Sequence, residues 1–275
     1  MQLLVSVRSA AEVGPALSGG ADLIDAKEPS RGSLGSVSPA TLAEILALVP
    51  PACPLSVALG DITSPEEVIT AINSLALPVR PAPTYLKIGF AGVRSPETVT
   101  SILATAVATL ARQGSAALVV AVAYADGARA GTIGPELVPG CARRAGATGV
   151  LLDTHTKDGV GLLGWIAPRA LAEWVASARR NGLLTALAGA LALESIETVS
   201  AAGADVVGVR GAACEGGRHG SVRADRVRAL RQRISAFGRY PTGEPGPGWR
   251  GGGETRDEAA NPLLHHGAKS LKANA

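Results

Sequence analysis

Of the 26 basic residues in this 275-residue chain, only five are lysine. Lys269 and Lys272 fall in the last seven positions, which leaves Lys27, Lys87 and Lys157 for the first 268. Arginine therefore serves wherever a surface cation is wanted, and lysine stands where arginine will not do. A guanidinium stays charged, whereas an amine can lose its proton and act as nucleophile or base. Acids accompany two of the three: Asp25 precedes Lys27 by two residues, and Asp153 precedes Lys157 by four. Converging ammonium groups lower one another's pKa, and burial adds to that. A neutral amine among them can attack a carbonyl and form a Schiff base. The carboxylates would hold the remaining ammoniums and move protons. A structural Asp–Lys salt bridge is the plainer alternative for either pair.

The elements that must position these groups alternate strictly. Short apolar runs at 2–7, 21–27, 55–60, 84–90, 116–125, 148–154, 183–189 and 204–211 read as strands, apolar throughout as if buried on both faces. Amphipathic runs at 10–20, 38–49, 64–75, 95–114, 134–145, 167–181, 193–202 and 223–237 read as helices. Three of these open on Ser-Pro (38–39, 64–65 and 95–96), an N-cap followed by a residue pre-set for the first helical position. Eight strand–helix units within 237 residues predict an α/β fold, a (βα)8 TIM barrel in one domain over 1–237. Residues 238–275, with eight glycines and four prolines, are expected to form a flexible tail or an arm on a neighbour. The adjacent His265 and His266 there are read as incidental. In such a barrel chemistry sits at the C-terminal ends of strands. Lys27 ends strand two, Lys87 lies late in strand four, and Lys157 follows strand six. Alternate strands share interior layers, so the three amines can meet in one pocket, with Asp25 facing as Lys27 does.

Phosphate-binding features are expected beside them. The loops after strands seven and eight (188–195 and 210–221) carry Gly189 and Gly211, whose N–H groups can approach an anion closely. The Gly/Ser-rich loop 28–36 adds Ser33. His155 lies between Asp153 and Lys157 but is not assigned a role. Cys53, Cys141 and Cys214 are far apart and lack metal spacing, so no disulfide framework, metal or cofactor is expected. Net charge is +3 with no basic run carrying interleaved aromatics, which argues against nucleic acid. No apolar run approaches the ~18–20 residues of a membrane span, and the N-terminus has no signal-type pattern. A cytoplasmic enzyme acting on a small molecule, and self-associating as a homo-oligomer, is expected.

Three segments, GGADLIDAKEPSRGSLG (19–35), YLKIGF (85–90) and LLDTHTKDG (151–159), resemble motifs of the (5-formylfuran-3-yl)methyl phosphate synthase family, also called 4-(hydroxymethyl)-2-furancarboxaldehyde-phosphate synthase. The resemblance runs from the opening LLVSV to about residue 237. It implies a (βα)8 lyase that joins two glyceraldehyde 3-phosphate molecules into a furan aldehyde phosphate, with loss of phosphate and water. That product supplies the furan of methanofuran-type one-carbon carriers in methanogens and methylotrophic bacteria. The resemblance further implies Lys27 as the Schiff-base lysine, Lys87 as proton acceptor, and Asp25, Asp153 and Lys157 as the rest of the site. Glu28 departs from the Asn common beside the nucleophile, and the long tail is outside the pattern. The residues alone also admit another Schiff-base aldolase, a sugar-phosphate isomerase, or a metabolite-binding barrel that does no chemistry.

Overall fold

The computed structural model describes residues 1–237. The expected tail at 238–275, with His265 and His266, lies outside the described residues. Eight parallel strands close on themselves in sequence order: β1 Gln2–Val7, β2 Leu23–Ala26, β3 Leu55–Asp61, β4 Thr84–Gly89, β5 Leu118–Tyr124, β6 Gly149–Asp153, β7 Leu184–Leu187 and β8 Val206–Val209. β1 pairs with β8 through Gln2↔Val206 to Val5↔Val209, which seals the barrel. The principal helices are α1 Val13–Ser18, α2 Pro39–Leu48, α3 Pro65–Asn73, α4 Pro96–Arg112, α6 Val138–Arg144, α8 Pro168–Arg180, α9 Ser195–Ala201 and α10 Ala224–Phe237. Two short helical turns, α5 Gly127–Ala130 and α7 Leu162–Trp165, sit in the loops after β5 and β6. The (βα)8 TIM barrel expected from the alternation is thus the observed fold.

The Ser-Pro starts behave as capping chemistry requires. Ser38, Ser64 and Ser95 each accept the N–H three residues on, from Thr41, Glu67 and Thr98 at 3.0, 3.2 and 3.1 Å. Strands alternate their side chains, and two apolar clusters follow. Leu3, Val5 and Val7 join the outer cluster against the helices, while Leu4, Leu23, Ala58, Val120, Leu151 and Val206 fill the barrel interior. The same parity turns Asp25, Lys27, Tyr85, Lys87 and Asp153 inward. Three departures from the expected boundaries matter. Strand two stops at Ala26, one residue short of Lys27. The run 10–20 begins as a 3-10 turn at Ala10–Glu12 before α1. The loop after β8 holds a small antiparallel pair, β9 Cys214–Glu215 and β10 Ser221–Val222. No described helix is long and apolar enough to cross a membrane.

Candidate active site

A cavity of about 610 Å³ opens at the C-terminal ends of the strands. Its lining includes all five charged residues singled out above: Asp25, Lys27, Lys87, Asp153 and Lys157. Four are almost wholly buried, at 0% exposure for Asp25, 6% for Lys27, 4% for Lys87 and 1% for Asp153. Burying four charges is tolerable only if they compensate one another, and they do. Lys87 Nζ lies 2.7 Å from Asp25 Oδ1, and Ser6 Oγ donates to Asp25 Oδ2 at 2.7 Å. The pairing register Ser6↔Asp25 on adjacent strands sets up that hydroxyl. Lys157 Nζ donates to Asp153 Oδ1 at 2.8 Å, to the Thr154 carbonyl at 2.6 Å and to Thr154 Oγ1 at 3.0 Å.

Lys27 is the odd one out. Among the described residues its Nζ makes no ion pair or hydrogen bond, while both other lysines hold a carboxylate. Burial and the neighbouring Lys87, with a smaller push from Lys157, bring its pKa down to about 8 against the pull of Asp153 and Asp25. Asp25 stays below the usual carboxylate range: burial works to raise it, and Lys87 and Lys27 outweigh burial. Asp153 likewise stays low, with burial opposed by Lys157 and Lys27. The arrangement therefore holds one amine that can be neutral near pH 8 beside two carboxylate–ammonium pairs. That is what imine formation followed by proton transfer needs.

The glycine loops also reach the cavity. Gly189 and Gly211 both line it. Gly189 has φ +109°, and a Cβ there would lie 3.1 Å from the Thr154 nitrogen and 3.2 Å from Leu162 Cβ. Glycine is thus what lets the β7 loop press against the end of β6. Ser33 does not line the cavity. Loop 28–36 folds back on itself, with the Glu28 N–H on the Gly35 carbonyl at 2.8 Å. That turn buries Ser33, whose Oγ donates to Tyr124 Oη at 3.3 Å. The phenol in turn donates to Asp61 Oδ1 at 2.7 Å. Tyr124 reaches from β5 to β3 above β4, possible because Gly89 leaves the space that a Cβ would contest with Asp61 and Tyr124.

Several site residues carry no signal that the sequence reading used. Arg210 is buried and locked in an ion pair with Glu12, its Nη2 on Glu12 Oε1 at 3.0 Å. It also donates to the carbonyls of Ser6 and Gly220 at 3.0 and 2.8 Å, fastening the β8 loop to β1. Arg218 lines the cavity and donates to the Pro29 carbonyl at 2.9 Å, joining the β8 loop to the β2 loop. Burial of Arg218 presses its pKa downward. Arg210 stands one residue before the end of the apolar run 204–211. Its partner lies 198 positions away, beyond any local pattern.

The sequence model of the 4-HFC-P synthase family matches residues 3–231. The chain belongs to that family. Two proteins named (5-formylfuran-3-yl)methyl phosphate synthase show the likeness to 4-HFC-P synthases across nearly the whole barrel. That of Methanocaldococcus jannaschii is 37% identical over 227 residues, covering 82% of this chain and 95% of the relative. That of Methanothermobacter thermautotrophicus is 36% identical over 239 residues, covering 86% of this chain and 100% of the relative. Among solved structures, phosphoribosyl anthranilate isomerase from Thermus thermophilus superposes with a TM-score of 0.55 at 19% identity, covering 86% of this chain and 100% of that one. At that identity the likeness shows the shared fold alone.

Proposed function

We propose that the chain is a carbon–oxygen lyase that makes (5-formylfuran-3-yl)methyl phosphate from two molecules of glyceraldehyde 3-phosphate through an imine on Lys27. The observation that carries this is the single unpaired lysine, Lys27, in a cavity whose other two lysines are each bound to a carboxylate. Neutral Lys27 adds to the aldehyde of the first triose, and loss of hydroxide as water leaves the imine. The imine acidifies the adjacent carbon, and the Lys87–Asp25 pair accepts its proton. The resulting enamine expels the phosphate from C3, and C3, now the enol carbon of the bound imine, attacks the carbonyl of the second triose after a proton shift has made that triose its ketone isomer. The terminal hydroxyl of the second triose closes the ring on C2 of the first, loss of two waters in all completes the furan, and hydrolysis of the imine frees Lys27 and leaves its carbon as the formyl group. Asp153 and Lys157 donate and take back the protons these departures need. The furan's aromaticity helps draw the sequence forward.

Both substrates are anionic, which fits a cationic cavity. We assign their phosphates to the loops after β7 and β8, at the backbone of Gly189 and Gly211 and near Arg218. Borohydride tests the covalent step. Reduction in the presence of glyceraldehyde 3-phosphate is expected to leave a triose phosphate adduct on Lys27, read by peptide mass. Lys27→Ala should take up none, and adduct on Lys87 or Lys157 in place of Lys27 would move the nucleophile.

A further inference from the structure

The loop that carries Lys157 is tied down on both sides of the lysine by the loop after β5. Asp126 is 2% exposed and does not line the cavity. Its carboxylate faces the backbone of the neighbouring loop: Oδ1 accepts the His155 N–H at 2.6 Å, and Oδ2 accepts the Thr156 N–H at 2.8 Å. One residue past the lysine, Arg129 Nη1 donates to Asp158 Oδ2 at 2.7 Å. The Arg129 guanidinium also lies 5.4 Å from the Trp165 ring centroid, in the same loop region. The bracket is one short piece of chain, because the Asp126 carbonyl accepts the Arg129 and Ala130 N–H groups at 2.9 and 3.1 Å. Positions 155, 156 and 158 are fixed, and 157 alone projects its side chain to Asp153 Oδ1. A buried carboxylate that gives both oxygens to successive N–H groups leaves that backbone little freedom.

We propose that Asp126, seconded by Arg129, is a positioning residue for the reaction: it sets the reach of Lys157 to Asp153 and thereby the charge state of Asp153 in the cavity. The role in catalysis rests on the furan-synthase reading above. Asp153 is faced by Lys157 from its own loop, Lys27 from the end of β2, Arg218 from the β8 loop and Tyr124 from β5. Of these, Lys157 is held through Asp126. Loosening the bracket withdraws the cation that lowers the Asp153 carboxyl most, so that carboxyl titrates at higher pH.

Asp126→Asn tests this with little change of shape, since the amide sets an NH2 against one of the two N–H groups. Turnover of glyceraldehyde 3-phosphate would be followed across pH, with borohydride trapping at Lys27 in parallel. Trapping is expected at the wild-type level. A misplaced lysine should lower kcat by about 10–100-fold, with a smaller change in KM. The acid limb of the kcat profile, which reports groups of the substrate-bound enzyme with Lys27 already in the imine, should move upward. A folded variant with wild-type kcat and an unmoved acid limb overturns the proposal. Amide exchange at His155 and Thr156 provides an arm that needs no substrate: it should quicken by at least about tenfold in Asp126→Asn, and unchanged protection also overturns the bracket. If Asp126→Asn loses trapping and turnover together, Arg129→Ala decides, because it unties an exposed residue only. A several-fold lower kcat with full trapping supports the bracket, and wild-type kcat overturns it. Wild-type protein that forms neither imine nor furan removes the functional reading instead, and the exchange arm still decides the bracket.

Discussion

A lysine buried beside two other lysines becomes a nucleophile because its charged form has become expensive. Lys27 titrates at about 8 instead of 10.5, from burial first and from Lys87 next. Imine formation should therefore climb with pH through about 8 and level off above it. Lys87→Met removes a like charge, so the Lys27 limb should move to higher pH, as pre-steady-state trapping rates would show. A limb that stays put would mean that Lys87 does not set the Lys27 charge. The same shift has a sign for folding. Between about 8 and 10.5 the unfolded chain holds a proton that the folded chain has released. The contribution of Lys27 to stability accordingly rises with pH across that window and is a cost below it. The scarcity of lysine, with Asp25 two residues from Lys27 and Asp153 four from Lys157, singled out from sequence five residues that line one cavity. The contact of Ser33 with Tyr124 was not legible, because a Gly/Ser-rich loop does not disclose which of its side chains turns inward.

At the scale of elements, local chemistry was readable and distant chemistry was not. The Ser-Pro helix starts, the apolar strands and the glycine stops depend on neighbours within a few positions. Their boundaries held to within a few residues, with strand two ending just before Lys27. The short turns α5 and α7 escaped because four-residue helices have too little periodicity to register. Asp126, Tyr124 and the Glu12–Arg210 pair escaped because each gains its meaning from a partner on another element. The last of these carries a stability expectation. Glu12 and Arg210 side chains are 6% and 4% exposed, and removing one strands the other. Glu12→Ala should cost about 3–5 kcal/mol. For a chain of this size that is a fall in Tm of at least about 6 °C. Thermal unfolding checks it, and a change within about 1 °C would show that Arg210 finds another partner.

As a whole molecule, the barrel uses its closure to bring distant segments to one rim. β1 meets β8, and α10 covers the seam with Val227, Leu230 and Ile234 buried. Among the described residues, the cavity lining runs from Leu4 to Arg226. We therefore take 1–237 as the catalytic domain, and a chain ending at Phe237 should keep kcat/KM within about twofold of the full chain. A larger loss would give the remaining residues a part in the reaction. The most direct measurement is mass spectrometry of the small molecules formed when purified protein meets glyceraldehyde 3-phosphate alone. The expected result is a furan aldehyde phosphate, absent with Lys27→Arg, whose guanidinium cannot form the imine. Triose phosphate returned unchanged, as its ketone isomer, or as an aliphatic aldol product would contradict it.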